Sequence, residues 1–341
     1  MYVTADSSSA FAKPFDMSTV PVVTREQSLA EDRTKKLTTA TPTLKAPSTG
    51  PKAASRTGAA DAAASATAAA QKYAQTLQAI PEIAAFGGVL RSSPIVELTE
   101  RETEYFVSAV KHLFKEHLVV QFEIKNTLPE TVLADVSVVC TPSAADDSDE
   151  APPLEEEFIM PISLLKTDEP GIVYVAFKRP EHFVSASFTN ILRFTSKEID
   201  PTTNEPEEGG YEDEYEVSDL DLAGSDYILP AFAGSFDSIY SSLPSDEEHE
   251  AEETLQLSAA KSVAEAVEML IKTLGMQPLE GSEIALSPST HSLRVYGKSV
   301  TGGKVAAQVR MAFSAKSGVT VKITARSEEE GLAALVVGGV A

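Results

Sequence analysis

An antiparallel β-sandwich of the immunoglobulin-like kind, followed by a smaller α+β platform and preceded by a disordered linker, is the fold this sequence predicts. Three observations carry it. Short runs of period-two alternation follow one another from about residue 91, an acidic tract then ends in a switch to helical period, and the chain starts with an Ala-, Ser-, Thr- and Pro-rich stretch. The expected boundaries are a flexible linker over 1–90, the sandwich over 91–224 and the platform over 225–341.

Up to about residue 78 the chain is mildly basic and has few large apolar residues, and Ala53 to Ala70 is low-complexity. Such a stretch buries too little surface to offset the entropy of ordering it. From Ser93 onward alternation sets in. His117 to Lys125 places Leu118, Val120, Phe122 and Ile124 on one face and Gln121, Glu123 and Lys125 on the other. Similar runs occupy Val132 to Cys140, Phe158 to Leu164, Gly171 to Phe177, Phe183 to Thr189 and Ile191 to Thr195, separated by turn-forming clusters such as Asp168-Glu-Pro-Gly171. Short strands without helical period between them predict a sandwich. The tract from Asp200 to about Gly224 reads as a solvated acidic loop.

Past that tract Phe232, Phe236, Ile239, Tyr240 and Leu243 recur at helical spacing. Ser262-Val-Ala-Glu265 is a capping box that opens a helix whose stripe is Val263, Ala266, Val267, Leu270, Ile271 and Leu274, and Gly275 with Pro278 closes it. Strands are expected at Ser292 to Val300, Lys304 to Phe313 and Val319 to Ala325. Thr301-Gly302-Gly303 is the hairpin turn between the first two, and Ser327 with Glu330 caps a last helix over Leu332 to Val337.

Composition narrows the function. The 341 residues hold 28 Lys+Arg against 51 Asp+Glu, a net charge of -23, which repels phosphate backbones and anionic headgroups and favours partners that present Lys or Arg. Nucleic-acid binding is excluded on that ground. No run is long and apolar enough to span a bilayer, the start lacks the pattern of a secretory signal, and no lipidation motif is present, so membrane association is expected only through a partner. A lone cysteine, Cys140, offers neither an intrachain disulfide nor a thiolate zinc site, as expected of a cytoplasmic protein. Gly297-Lys298-Ser299 lacks the glycine five residues earlier that a phosphate loop needs, and the acidic tract lacks the alternating ligand spacing of a calcium loop. The five histidines show no paired ligand spacing. No catalytic residue, metal site or cofactor is therefore expected.

Several motifs resemble one known family. Leu98-Thr-Glu-Arg-Glu-Thr-Glu-Tyr105, Gln121-Phe-Glu-Ile-Lys-Asn-Thr-Leu128, Asp200-Pro-Thr-Thr203, Gly210-Tyr-Glu-Asp-Glu-Tyr215, Leu274-Gly-Met276 and Thr324-Ala-Arg-Ser327 stand in the order and spacing of the coatomer gamma subunits. The resemblance implies the linker and appendage (ear) of a COPI coat subunit, without the helical trunk that in the family assembles with other coatomer subunits and Arf. It implies a non-enzymatic role in Golgi and endoplasmic-reticulum vesicle traffic, peripheral on Golgi membranes and COPI vesicles, with Arf GTPase-activating proteins and basic or apolar-anchored peptides as partners. It also implies a docking site on the platform formed by an aromatic and an arginine. Alignment of Phe232-Ala-Gly-Ser-Phe236 puts Phe236 at the aromatic, where the family has tryptophan, and Val309-Arg310 supplies the arginine. By residue pattern alone Phe236 can equally be core, while Arg310 alternates with Val305, Ala307, Val309 and Met311 and so faces solvent. A clathrin-adaptor ear and an enzyme with a site between the two domains are the alternatives.

Overall fold

The computed structural model describes residues 69–144, 152–200, 203, 205–316 and 318–340, so the expected linker up to residue 68 lies outside the described residues. Residues 69–90 do not conform to a linker. Helix α1 covers 69–78 and α2 covers Pro81–Ala84, with Pro81 at the first helical position, where its missing N–H costs nothing. Leu77 and Ile83 are fully buried, and with Ile80, Phe86 and Val89 they pack on Phe114, Val119, Tyr174 and Ala176. The boundary drawn at residue 90 is thus corrected. This segment is a strap over the outer face of a sandwich sheet, held by apolar residues spaced three apart. Ile83→Val is expected to cost about 0.5 to 1.5 kcal/mol in urea unfolding, and an unchanged midpoint would show that the strap does not fold with the body.

The sandwich comprises β1 (Arg91–Ser92), β2 (Val96–Glu97), β3 (Tyr105–Leu113), β4 (His117–Asn126), β5 (Thr131–Ser143), β6 (Glu155–Met160), β7 (Ile162–Leu165), β8 (Pro170–Lys178), β9 (Ala186–Glu198) and β10 (Tyr211–Leu222). One sheet runs β1-β3-β4-β8-β6 with β2 also on β3, and the other runs β10-β9-β5-β7. Pairing within both is antiparallel. The predicted strand at 158–164 is two strands in opposite sheets, because Pro161 removes a ladder donor and β6 pairs with β8 while β7 pairs with β5. The runs at 183–189 and 191–195 are one strand, β9. The acidic loop is also corrected, since Tyr211–Leu222 pairs with β9 along its length. Tyr215 and Val217, and past a bulge Leu220 and Leu222, pack on the core, which is sufficient to hold a strand whose other side chains are mostly acids.

Because the strap covers the first sheet, Gln121 and His112, on the face expected to meet water, are buried. His112 Nε2–H donates to Gln121 Oε1 at 3.2 Å, its Nδ1 accepts from Ser92 Oγ at 2.8 Å, and Tyr73 sets its ring edge-on at 5.2 Å. Burial pushes the His112 pKa down to about 4, the bond to Gln121 opposing. The folded chain therefore holds this imidazole neutral, and protonation favours the unfolded chain. Stability from this residue is complete above about pH 6.5 and falls towards pH 4 at up to about 1.4 kcal/mol per pH unit. Urea midpoints at pH 7 and 5 for the chain and for His112→Gln check this, and an equal loss in both would refute it.

A 3-10 turn at Gly224–Tyr227 leads into the platform, β11 (Ile228–Pro230), α3 (Phe236–Ser242), β12 (Glu250–Leu257), α4 (Val263–Leu274), β13 (Gln277–Pro278), β14 (Thr290–Ser299), β15 (Lys304–Ser314), β16 (Gly318–Ser327) and α5 (Leu332–Gly338). Its sheet runs β11-β14-β15-β16-β12, with β13 also on β14. The α4 helix forms as its sequence predicts: Ser262 Oγ accepts the Glu265 N–H at 3.2 Å, and Gly275 closes it with φ 63°. Its stripe joins Leu293, Val295, Ala307, Val309, Val321 and Ile323 of the sheet's inner face in one core cluster that continues into the sandwich. The last helix starts at Gly331 rather than from a Ser327 cap, because Ser327 still belongs to β16 and its Oγ accepts the Glu329 N–H.

Polar contacts fasten the two subdomains. Buried Lys111 on β3 pairs with buried Asp226 of the turn, Nζ to Oδ2 2.5 Å, and also donates to the Asp221 carbonyl. Asp226 Oδ2 accepts the Ala223 N–H at 3.0 Å, and Arg91 donates to the Ser225 carbonyl at 2.6 Å. Gly224 lies so close to α5 that a Cβ there would sit 2.6 Å from the Leu335 carbonyl carbon and oxygen, so only glycine fits.

Candidate functional site

Period-two alternation and the register of four strands build the outer face of the platform sheet. Ser292, Arg310 and Lys322 stand side by side on β14, β15 and β16, and the next row holds Arg294, Gln308, Thr324 and Glu252. In the row beyond, Tyr296, Ala306 and Arg326 lie opposite Glu250. One end of this face is roofed by α3, whose Ser235 cap accepts the Ser238 N–H at 3.4 Å.

Phe236 lies under that roof. It is 2% exposed, in a cluster with Leu243, Leu279, Tyr296 and Ala306. Arg294 spans its ring at 5.5 Å and is itself held by Glu280 at 2.6 Å, while the other Glu280 oxygen accepts the Phe236 N–H at 3.1 Å. That backbone bond first, and Arg294 second, holds the Glu280 carboxyl below its ordinary range. Phe236 thus presents no ring to solvent, and Phe232, expected on the same stripe, is 83% exposed in the loop before the helix.

Tyr240, one turn on, is half-buried and stacked on Phe236 at 5.2 Å. Arg326 lies 4.4 Å from its ring centroid and pairs with Glu250 at 2.9 Å. Burial raises the Tyr240 phenol above its ordinary value, with the Arg326 charge and, less strongly, the Arg310 charge opposing. Arg310 is exposed, as the alternation predicts, and donates only to Gln308 at 3.4 Å. Lys322 is paired with Glu252 at 2.6 Å, so Arg310, unlike Arg294, Lys322 and Arg326, has no carboxylate in ion-pair range. Sequence reasoning overlooked Arg294, Lys322 and Arg326; their outward positions are legible in the strand period, but their convergence follows from the register.

The remaining chemistry is structural. Burial pushes the Cys140 thiol up, which leaves it inert as a nucleophile at neutral pH. Lys298 extends from β14, so the Gly297-Lys298-Ser299 stretch is strand. Asp246, Glu248 and His249 bring ligand atoms within 4.8 Å, but Asp246 and His249 share a 2.5 Å hydrogen bond that lowers the carboxyl and raises the imidazole, so a proton is held there.

Two family models match the chain end to end across the junction: the coatomer gamma subunit appendage platform subdomain over residues 71–223, and the coatomer subunit gamma-1 C-terminal appendage platform over 225–340. The chain belongs to the coatomer gamma subunit family. It is 40% identical to the probable coatomer subunit gamma of Schizosaccharomyces pombe, over 98% of this chain and 35% of the relative. Identity to the coatomer subunit gamma of Saccharomyces cerevisiae is 39%, over 79% of this chain and 28% of that protein. Human coatomer subunit gamma-2 is 37% identical, over 75% and 29% respectively. The chain therefore spans about a third of the length of these relatives, in a coat-subunit family rather than an enzyme family.

Proposed function

We propose that the chain acts as the appendage of a COPI coat in Golgi and endoplasmic-reticulum vesicle traffic, cytoplasmic and peripheral on Golgi membranes, recruiting Arf GTPase-activating proteins through the outer face of the platform. Association with the other coatomer subunits belongs to the trunk of the family and not to these residues. The antiparallel two-sheet build supports an immunoglobulin-like ancestry for the sandwich.

One observation carries the docking assignment: Arg310 is an exposed guanidinium without a carboxylate partner, beside a half-buried tyrosine, on a face that also holds Arg294, Lys322 and Arg326. A partner's apolar side chain would rest against Tyr240, and its carboxylate or carbonyl would accept from Arg310, giving one anchor and one directional contact. Phe236 belongs to this site as the ring beneath Tyr240. The local charge also inverts what the net charge suggests, so here the complementary partner is acidic. Arg310→Ala is expected to weaken binding of an Arf GTPase-activating protein by about tenfold or more, equivalent to about 1.4 kcal/mol, with an unchanged urea midpoint. Calorimetry on the chain and the variant tests this, and undiminished binding by Arg310→Ala would remove Arg310 from the site.

A further inference from the structure

The second sandwich sheet ends in a strand whose outer edge is open. β10 has β9 on one side, and no strand among the described residues pairs with its other side. The open stretch runs from Tyr211 to Glu216. Beyond it the Ser218 N–H donates to the Leu98 carbonyl at 3.0 Å, which closes the edge. Six residues at about 3.4 Å each give roughly 20 Å of edge with no strand on it, within which the Glu214 N–H is held by the Asp213 carboxylate at 2.9 Å and would have to be released to an incoming strand. Glu212, Asp213, Glu214 and Glu216 are exposed along it, and of these only Glu214 has a cationic partner, Arg193 at 2.8 Å. From Glu198 to Asp221 the chain holds eleven Asp+Glu and no Lys, Arg or His.

We propose that this edge takes up a lysine- or arginine-rich segment of a partner protein as an added strand. The inference concerns the sandwich and is independent of the platform reading. An added strand would bond the free backbone groups of β10, and its side chains would stand about 5 Å from those of β10, where opposite charges stabilise and like charges destabilise. A second copy of this chain is a poor occupant, since its own β10 would set these acids against themselves. The platform's open edge differs in this respect. On β12 Glu250 is held by Arg326 and Glu252 by Lys322, so two of its three carboxylates are already engaged. On β10 the backbone valence and the unneutralised charge coincide, and one kind of ligand satisfies both.

The test uses the full chain and a capped decapeptide of alternating lysine and valine. Its control is the same peptide with every backbone amide N-methylated, which keeps every charge and leaves neither edge able to donate to a ladder. The expected result is saturable binding that weakens with salt, at least tenfold loss with the methylated control, and slowed amide exchange confined to residues 211–216 and their β9 partners. Glu212→Lys with Glu216→Lys should lose the peptide by a similar factor at an unchanged urea midpoint. If that variant does not fold, the methylated control decides. Equal binding of both peptides would reduce the edge to a diffuse acidic surface and overturn the proposal. So would absence of binding, protection elsewhere, or protection of 211–216 by self-association of the chain alone.

Discussion

Asp226→Ala is expected to lower the unfolding free energy by about 3 to 5 kcal/mol, because it strands the Lys111 ammonium in a buried site. The carboxylate is the ammonium's only charged partner at the junction among the described residues, and the Asp221 carbonyl alone is a poor substitute. Asp226 also takes the Ala223 N–H, so its loss loosens the turn that carries the chain from sandwich to platform. Replacing both partners with apolar residues, Lys111→Met with Asp226→Leu, should recover most of the loss, since an ion pair out of water contributes little beyond a well-packed apolar pair. Urea unfolding of the single and double variants measures this. A single variant that unfolds like the parent would mean that water reaches the pair and screens it.

Phe236→Ala is expected to destabilise by about 3 to 5 kcal/mol, the cost of emptying an aromatic site in a packed core. The ring packs with Leu243, Leu279, Tyr296 and Ala306, Tyr240 is stacked on it and the Arg294 guanidinium lies over it, so little can collapse into the space. Loss of partner binding would accompany this change only through disorder of α3 and displacement of Tyr240. Tyr240→Ala separates the two effects: it should weaken partner binding with a smaller stability loss, because its ring is only partly buried. A Phe236→Ala chain that melts like the parent and fails only in binding would return Phe236 to the surface role that alignment implies.

Periodicity, caps and composition sufficed for what is local. The α4 helix with its Ser262 cap and Gly275 terminus, the alternating strands β4, β14, β15 and β16, and the outward side chain of Arg310 all follow from the residues themselves, because each depends on neighbours within one turn or one pleat.

Only the tertiary structure decided what depends on distant residues. The strap at 69–90 has a clear apolar spacing of three, yet its helices have no hydrophobic face to bury until Phe114, Val119 and Tyr174 are assembled on the sheet. Pro161 marks a break, but nothing local states that the strands on either side join opposite sheets. The acids of β10 read as loop until β9 supplies a ladder and the core takes the apolar side chains among them. Phe236 and Tyr240 lie on one helix stripe one turn apart, and the sequence treats them alike. The sheet beneath is what buries the first and leaves the second partly exposed near Arg310, because burial is set by the surface a side chain meets and not by its own chemistry.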